Sequence, residues 1–280
     1  MSAAKTIVVT GATAGIGLEA AVQLAAEGHR LALVGRNPEK LARAAERVSA
    51  AGAAGVDTFV ADFASLNSVR ALATELRSRL DAIDVLVNNA GGVNDKRTLT
   101  TDGFETTFAV NHLAGFLLTE LVKDLVVAAA PSRIVFTSSE GHYSGTIDFD
   151  DLGFEGGYTI MKAYGRSKLA NVLYTRSLAA ELADAGVTVN SLHPGAVATD
   201  IWSGAPWFAK PVLAVAKRFM RSPADGGQTI AFLATDPSVE GETAGYYDNN
   251  KLKEPSDLAQ DDAVATRLRD ESARLVGLPA

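Results

Sequence analysis

Three observations predict an α/β fold built on a doubly wound, mostly parallel sheet. Short apolar runs rich in Val, Leu and Ile begin within the first ten residues and recur along the chain. These runs are unbroken rather than alternating, which marks strands covered on both faces. Helical stretches separate them at the spacing of βαβ units, giving a single Rossmann-like sheet of about seven strands.

The elements follow in order. Thr6–Thr10 (TIVVT), Arg30–Gly35 (RLALVG), Val56–Val60 and Ile83–Asn88 read as strands, with helices over Gly15–Glu27, Pro38–Ala51 and Leu66–Leu80 between them. Pro38 stands in the first turn of its helix, where its missing N–H costs nothing. Gly103–Ala129 reads as one long helix, Arg133–Ser138 as a fifth strand, Tyr158–Ala185 as a second long helix and Val187–Leu192 as a sixth strand. Residues 196–223, with Trp202, Trp207, Phe208 and Phe219, break this rhythm. A helix over Pro223–Thr235 and a strand over Ala244–Tyr247 close the sheet. With no repeat, low-complexity tract or linker, residues 1–280 read as one domain carrying an insertion at 196–223.

Composition narrows the function. A formal net charge of −7 disfavours a nucleic-acid surface, which needs clustered Lys and Arg. The chain has no cysteine, so disulfides, thiolate metal sites and a cysteine nucleophile are excluded. The N-terminus enters a strand without an apolar leader, and Leu113–Ala130 is interrupted by Glu120, Lys123 and Asp124, so a cytoplasmic globular protein is expected. His29, His112, His142 and His193 lack metal-ligand spacing, and no metal is expected. His29 and His142 read as surface residues, His112 and His193 as neighbours of motifs.

The first strand runs into Thr10-Gly11-Ala12-Thr13-Ala14-Gly15-Ile16-Gly17. Glycines at a strand–turn–helix let backbone approach a pyrophosphate seated on the helix N-terminus. The spacing is G-x-x-x-G-x-G, and a plain tight turn is the alternative reading. The second strand ends at Gly35, with no carboxylate for a ribose 2′-hydroxyl, and Arg36 follows. A guanidinium there suits a 2′-phosphate, so NADP(H) is expected rather than NAD, the alternative being a solvated Arg. Asp62, beside Phe63, is placed to meet the adenine edge. Asp62 is also a candidate cap for the next helix, for which Ser65 and Asn67 lie nearer.

Tyr164 and Lys168 lie four residues apart on a predicted helix and share one face. An ammonium beside a phenol is expected to lower the phenol's pKa and make it a proton donor and acceptor near neutral pH. Such a pair also arises by chance on helix surfaces.

Together these motifs make the sequence resemble the short-chain dehydrogenase/reductase family over almost its whole length. The glycine turn matches the family's T-G-x-x-x-G-I-G, and Asn88-Asn89-Ala90-Gly91 its motif after the fourth strand, which flanks the adenosine. Asn111 stands in VNHLAGF, Ser139 in TSSEGHYSG, and the Tyr–Lys pair in AYGRSKLAN. Pro194-Gly195, in HPGAVATD with Val197 and Thr199, corresponds to the segment beside the nicotinamide. VNHLAGF, SKLAN and HPGAVATD resemble the retinol-dehydrogenase-like branch. The resemblance implies that Tyr164 is the general acid/base and that Lys168 tunes it and binds the nicotinamide ribose. It also implies that Ser139, with Ser138 as fallback, holds the substrate oxygen. Asn111 would keep a water-linked proton path to Lys168, and Thr199 would touch the carboxamide.

The expected activity is hydride transfer between NADP(H) and a carbonyl or alcohol. A non-catalytic NADP(H)-binding redox sensor is the alternative, but such proteins usually lose the Tyr or the Lys. In the insertion, Phe208, Val212, Val215 and Phe219 fall at helical spacing, with Lys210, Lys217, Arg218 and Arg221 on the other face. A lid over a lipophilic substrate is the reading adopted. A helix packed on the core and a basic helix resting on an anionic membrane are the alternatives. Tyr143 reads equally as a pocket aromatic or a packed loop residue, and the two long helices could pair across a two-fold axis in a homo-oligomer.

Overall fold

A computed structural model describes residues 4–195, 197 and 221–279. Most of the 196–223 insertion, including Thr199 and the four apolar positions of its proposed helix, lies outside the described residues.

The described chain forms β1 (Thr6–Thr10), α1 (Gly15–Ala26), β2 (Arg30–Gly35), α2 (Pro38–Ala50), β3 (Gly55–Val60), α3 (Leu66–Arg79) and β4 (Val85–Asn88). After a loop come α4 (Thr106–Phe108), a π turn (Ala109–Leu113), α5 (Ala114–Ala128), β5 (Ser132–Thr137) and a 3-10 turn (Glu140–Ser144). The remainder is α6 (Ile160–Glu181), β6 (Val187–His193), α7 (Pro223–Thr235), β7 (Tyr246–Asp248), β8 (Lys251–Leu252) and α8 (Asp262–Leu275).

One eight-stranded sheet runs β3-β2-β1-β4-β5-β6-β7-β8, with every neighbouring pair parallel except β7–β8. Successive residues of β1 face opposite layers. Ile7 and Val9 pack with Leu24, Leu41 and Ile230 of α1, α2 and α7, while Val8 packs with Leu72, Phe116 and Leu173 of α3, α5 and α6. Order reverses between β1 and β4, so the loops after β1 and β4 open a crevice at the carboxyl ends of the strands.

Several boundaries differ from the sequence reading. The helix expected over Gly103–Ala129 starts at Thr106, because Gly103 takes a left-handed φ of 86° and Leu99 bridges Glu105. The Glu105 carboxylate then caps the helix, accepting from Thr107 N and Phe108 N at 2.8 and 2.7 Å. The helix expected over Tyr158–Ala185 begins after Thr159, whose hydroxyl accepts from Lys162 N, and ends at Glu181. The last parallel strand starts at Tyr246, past Ala244, which has a φ of 60°. β8, which spans two residues, and α8, which lies past the closing strand, are additions to the elements read from the sequence. α8 packs on α6, with Leu268 fully buried.

His29 and His142 are corrected from surface to interior. His29 Nδ1 accepts from Lys5 N beneath β1, and His142 is sandwiched by Tyr143 and Tyr246.

Candidate active site

The turn after β1 is set by close backbone approaches. Gly11 and Gly15 have φ values of +67° and +56°, conformations that L side chains rarely adopt. Gly17 lies so deep that a Cβ would stand 2.4 Å from Asn89 Nδ2 and 2.5 Å from Gly11 O. Thr10 pins the turn from below. Its hydroxyl donates to Val87 O at 3.1 Å and accepts from Asn89 N and Ala90 N at 2.9 and 3.0 Å. Asn89 Nδ2 donates to Thr10 O at 2.9 Å. α1 then opens at Ala14 with no side-chain cap and no acid in its first turn, leaving its N-terminal N–H groups to an anion.

Beside this turn lies a cavity of about 330 Å³ lined by Gly11, Thr13, Arg36, Asp62, Phe63, Ala90, Gly91 and Asn111, among others. Arg36 reaches it from an exposed position at the end of β2. At Gly35 a Cβ would meet Thr13 Cγ2 at 2.3 Å, so the β2 end leaves little room for a side chain. Asp62 does not cap α3. Ser65 does, accepting from Ser68 N, while Asp62 Oδ1 accepts from Ala64 N. Asn88 points away from the cavity: its Nδ2 donates to Thr119 Oγ1 on α5 at 2.9 Å, and its buried Oδ1 has no partner among the described residues. The second asparagine of the pair, rather than the first, therefore ties the β4 end to the glycine turn. A backbone-lined crevice with an uncapped helix at one side and a guanidinium at the other fits a dinucleotide.

Beyond it, α6 brings Tyr164 and Lys168 to the end of β5. Both are buried. Lys168 Nζ donates to Thr137 O at 2.9 Å and lies 5.6 Å from the Tyr164 ring centroid. Asn111, in the π turn, is locked to Gly92 in both directions: Nδ2 donates to Gly92 O at 2.9 Å and Oδ1 accepts from Gly92 N at 2.7 Å. Its Nδ2 also donates to Ser167 Oγ at 3.0 Å. At Gly91 a Cβ would sit 3.0 Å from Asn111 Oδ1 and 3.5 Å from Lys168 Nζ, so this glycine lets the three elements converge. The geometry separates the adjacent serines. Ser138 is fully turned inward, donating to Lys168 O at 2.8 Å, whereas Ser139 hydrogen-bonds the Tyr164 side chain. Gly141 lies against the Tyr164 ring, where a Cβ would be 3.2 Å away.

Protonation here is governed first by burial. Burial pushes the Tyr164 phenol up, and the Ser139 hydrogen bond pulls it the other way. Burial lowers Lys168 to about 8. The Lys168 ammonium donates to the Thr137 carbonyl, and both groups of the pair are desolvated. Desolvation thus favours the neutral phenol, which holds a proton ready to give.

Pro194 and Gly195 follow β6, Gly195 with a φ of +86° and Arg221 packed against it. Val197 bridges Arg221. Tyr143 is half-exposed and donates to Glu254 O at 2.5 Å, which makes it a loop-packing residue. Among the described residues no cluster of His, Asp and Glu could hold a metal ion. None of their helices is long and apolar enough to cross a membrane.

The chain matches the short chain dehydrogenase family over residues 5–206 and belongs to that family. It is 41% identical to mouse retinol dehydrogenase 14, with 98% of this chain and 86% of the relative covered. It is likewise 41% identical to a Streptomyces sp. (strain C5) protein assigned as a daunorubicin C-13 ketoreductase, covering 98% and 93% of the two chains. Among solved structures, a Beutenbergia cavernae protein assigned as an NAD(P)-dependent gluconate 5-dehydrogenase, with NADP bound at low occupancy, superposes with a TM-score of 0.72. The two are 29% identical over 89% of this chain and 96% of that one. The protein is thus an oxidoreductase acting on CH–OH and C=O groups, of a family that binds a nicotinamide cofactor.

Proposed function

We propose that the chain is an NADP(H)-dependent carbonyl reductase or alcohol dehydrogenase acting on a lipophilic small molecule. The observation that carries this reading is Tyr164, buried, hydrogen-bonded by Ser139 and beside a buried Lys168 whose Nζ lies next to Gly91 of the crevice lining. Gly11, Thr13, Ala14, Gly15, Ile16 and Gly17 would hold the pyrophosphate, Arg36 the 2′-phosphate, and Asp62, Phe63, Ala90 and Gly91 the adenosine. Pro194, Gly195 and Val197 would flank the nicotinamide, with Thr199 beyond them in the sequence.

When bound, the nicotinamide supplies or accepts the hydride at the carbonyl carbon. Tyr164 then gives its phenolic proton to the substrate oxygen in reduction and takes one back in oxidation. Ser139 holds that oxygen against the phenol, and Lys168 returns the proton, with Asn111 ordering the route from solvent. A fixed donor pair at the oxygen acts without reorganisation as charge develops there.

A lipophilic substrate is supported by the apolar positions of the 196–223 sequence and by the bulky compounds in the relatives' names. The experiment is NADPH oxidation with a panel of aldehydes and ketones, from three or four carbons up to fused-ring ketones. We expect turnover with kcat/KM rising with apolar size. No turnover with any member, alongside tight NADPH binding, would instead favour a non-catalytic sensor.

A further inference from the structure

Asn171 closes the SKLAN run after Lys168, and no role above uses it. Its side chain is buried and hydrogen-bonded on every side. Nδ2 donates to Asn111 O at 3.0 Å and to Thr137 O at 3.3 Å, and Oδ1 faces His112 Nδ1 at 3.2 Å. Because the amide nitrogen donates elsewhere, Oδ1 is the acceptor and His112 carries its proton on Nδ1. His112 Nε2 then accepts from Ser272 Oγ on α8 at 2.9 Å. The Thr137 carbonyl that receives Asn171 also receives Lys168 Nζ. One amide therefore touches the end of β5, the π turn and the helix of the Tyr–Lys pair.

We propose that Asn171 is a positioning residue for the reaction, sharing the Thr137 carbonyl with Lys168 and fixing the backbone of Asn111. This rests on the reading of Tyr164 and Lys168 as the proton-transfer pair. A buried amide is costly to desolvate, and Leu would fill the same space more cheaply, so its three bonds carry the argument. A π turn is a local widening of the helix, and the amide pins it at Asn111. Without Asn171, Lys168 has the Thr137 carbonyl to itself, which favours the ammonium, and the Asn111 carbonyl loses its donor from α6. The titratable groups facing this knot are Lys168 and Tyr164 on α6 and His112 on the π turn. Among the described residues no carboxylate hydrogen-bonds Asn171, His112 or Lys168.

The test compares Asn171→Leu, Asn171→Ser and Ser132→Ala in the full chain, with Tyr164→Phe in parallel. Ser132 donates to Val126 O at the far end of β5, so its loss removes a buried hydrogen bond away from the site. For Asn171→Leu we expect kcat to fall about tenfold or more, with substrate KM changed less than about threefold. The alkaline limb of the pH profile should move up by about half a unit. Asn171→Ser should fall between Leu and the parent, because its hydroxyl restores one donor. Ser132→Ala should lower the melting temperature and leave kcat and the pH profile alone. The proposal fails if whichever Asn171 variants fold keep the parent kcat and pH profile, or if Ser132→Ala shifts that profile equally. An active Tyr164→Phe enzyme would remove both this inference and the reading beneath it, whereas an inactive one beside unaffected Asn171 variants would remove this inference alone.

Discussion

The two halves of the site are built by opposite means. The glycine turn after β1 is made of backbone: left-handed glycines, an uncapped helix start and a buried threonine that pins two amides. The Tyr–Lys centre is made of side chains packed out of water on α6 and the π turn, each committed to a named partner. Backbone dipoles do not titrate, so the first half should be insensitive to pH and intolerant of any added atom. The second should tolerate isosteric change in shape but not in chemistry.

Tyr164→Phe breaks that comparison most severely. The ring stays and the phenolic proton goes, so kcat should fall by about 10²–10⁴-fold. NADPH affinity should stay within about twofold, because the ring's removal of one hydroxyl leaves the glycine turn untouched. Rapid kinetics with a fluorescence titration of NADPH separates the two. A variant that keeps a third of its rate would show that the proton comes from elsewhere.

The buried centre should also set the acid stability. Burial lowers His112 from 6.5 to about 4, and lowers His142 and His193 as well. Between those two values the unfolded chain binds more protons than the folded one, so stability rises with pH and is lost as pH falls from 6.5 towards 4. For His112 the shift amounts to on the order of 3 kcal/mol. Denaturant unfolding across that window should show the loss, and His112→Gln should flatten it. An unchanged slope in the variant would assign the acid sensitivity to other groups.

How much of this was legible in the sequence follows the same division. Backbone rules leave local signatures. The glycine spacing, the missing acid at Gly35 and the Tyr164–Lys168 interval could all be read from a few adjacent residues. The Pro223–Thr235 helix has the same bounds in sequence and structure because Ser222 and Pro223 form its start in sequence as in space. What escaped was long-range. Asn171 meets Asn111 and Thr137 across 60 and 34 residues, and His112 meets Ser272 across 160. Nothing local announces such partners. His142 reads as a surface residue for that reason, since its burial depends on Tyr246 and on Ser256 N, which donates to its Nε2. Asn88 is the asparagine the motif assigns to the adenosine site, yet its side chain turns to Thr119 and it is Asn89 that meets the glycine turn, because neighbours at a strand end point to opposite faces.

Gly17→Ala tests the backbone half. The added Cβ meets Asn89 Nδ2 and the Gly11 carbonyl inside contact distance, so the turn must shift. Overpacking of this kind costs about 1–3 kcal/mol. We expect a lower melting temperature and weaker NADPH binding, with the pH dependence of the residual activity unchanged. A changed pH profile with intact cofactor affinity would mean that the two halves are coupled more tightly than their construction implies.

The smallest expected effect lies at the rim, on Arg36. Its side chain is exposed and reaches the cavity opposite the uncapped helix start, where water and salt screen a charge. A charge-assisted contact to a 2′-phosphate is worth about 1.5–3 kcal/mol, and screening draws this towards the lower end, or about tenfold. Arg36→Leu should therefore lower kcat/KM for NADPH by about tenfold and leave NADH nearly unchanged. The loss should shrink at high ionic strength, which a purely steric effect would not do. The converse exchange, an acid introduced at Gly35 to favour NADH, should do worse than Arg36→Leu, because its Cβ lands on Thr13 within the same turn. Equal losses for the two cofactors in Arg36→Leu would show that Arg36 supports the turn rather than reading the phosphate, and would move cofactor preference to other residues lining the cavity.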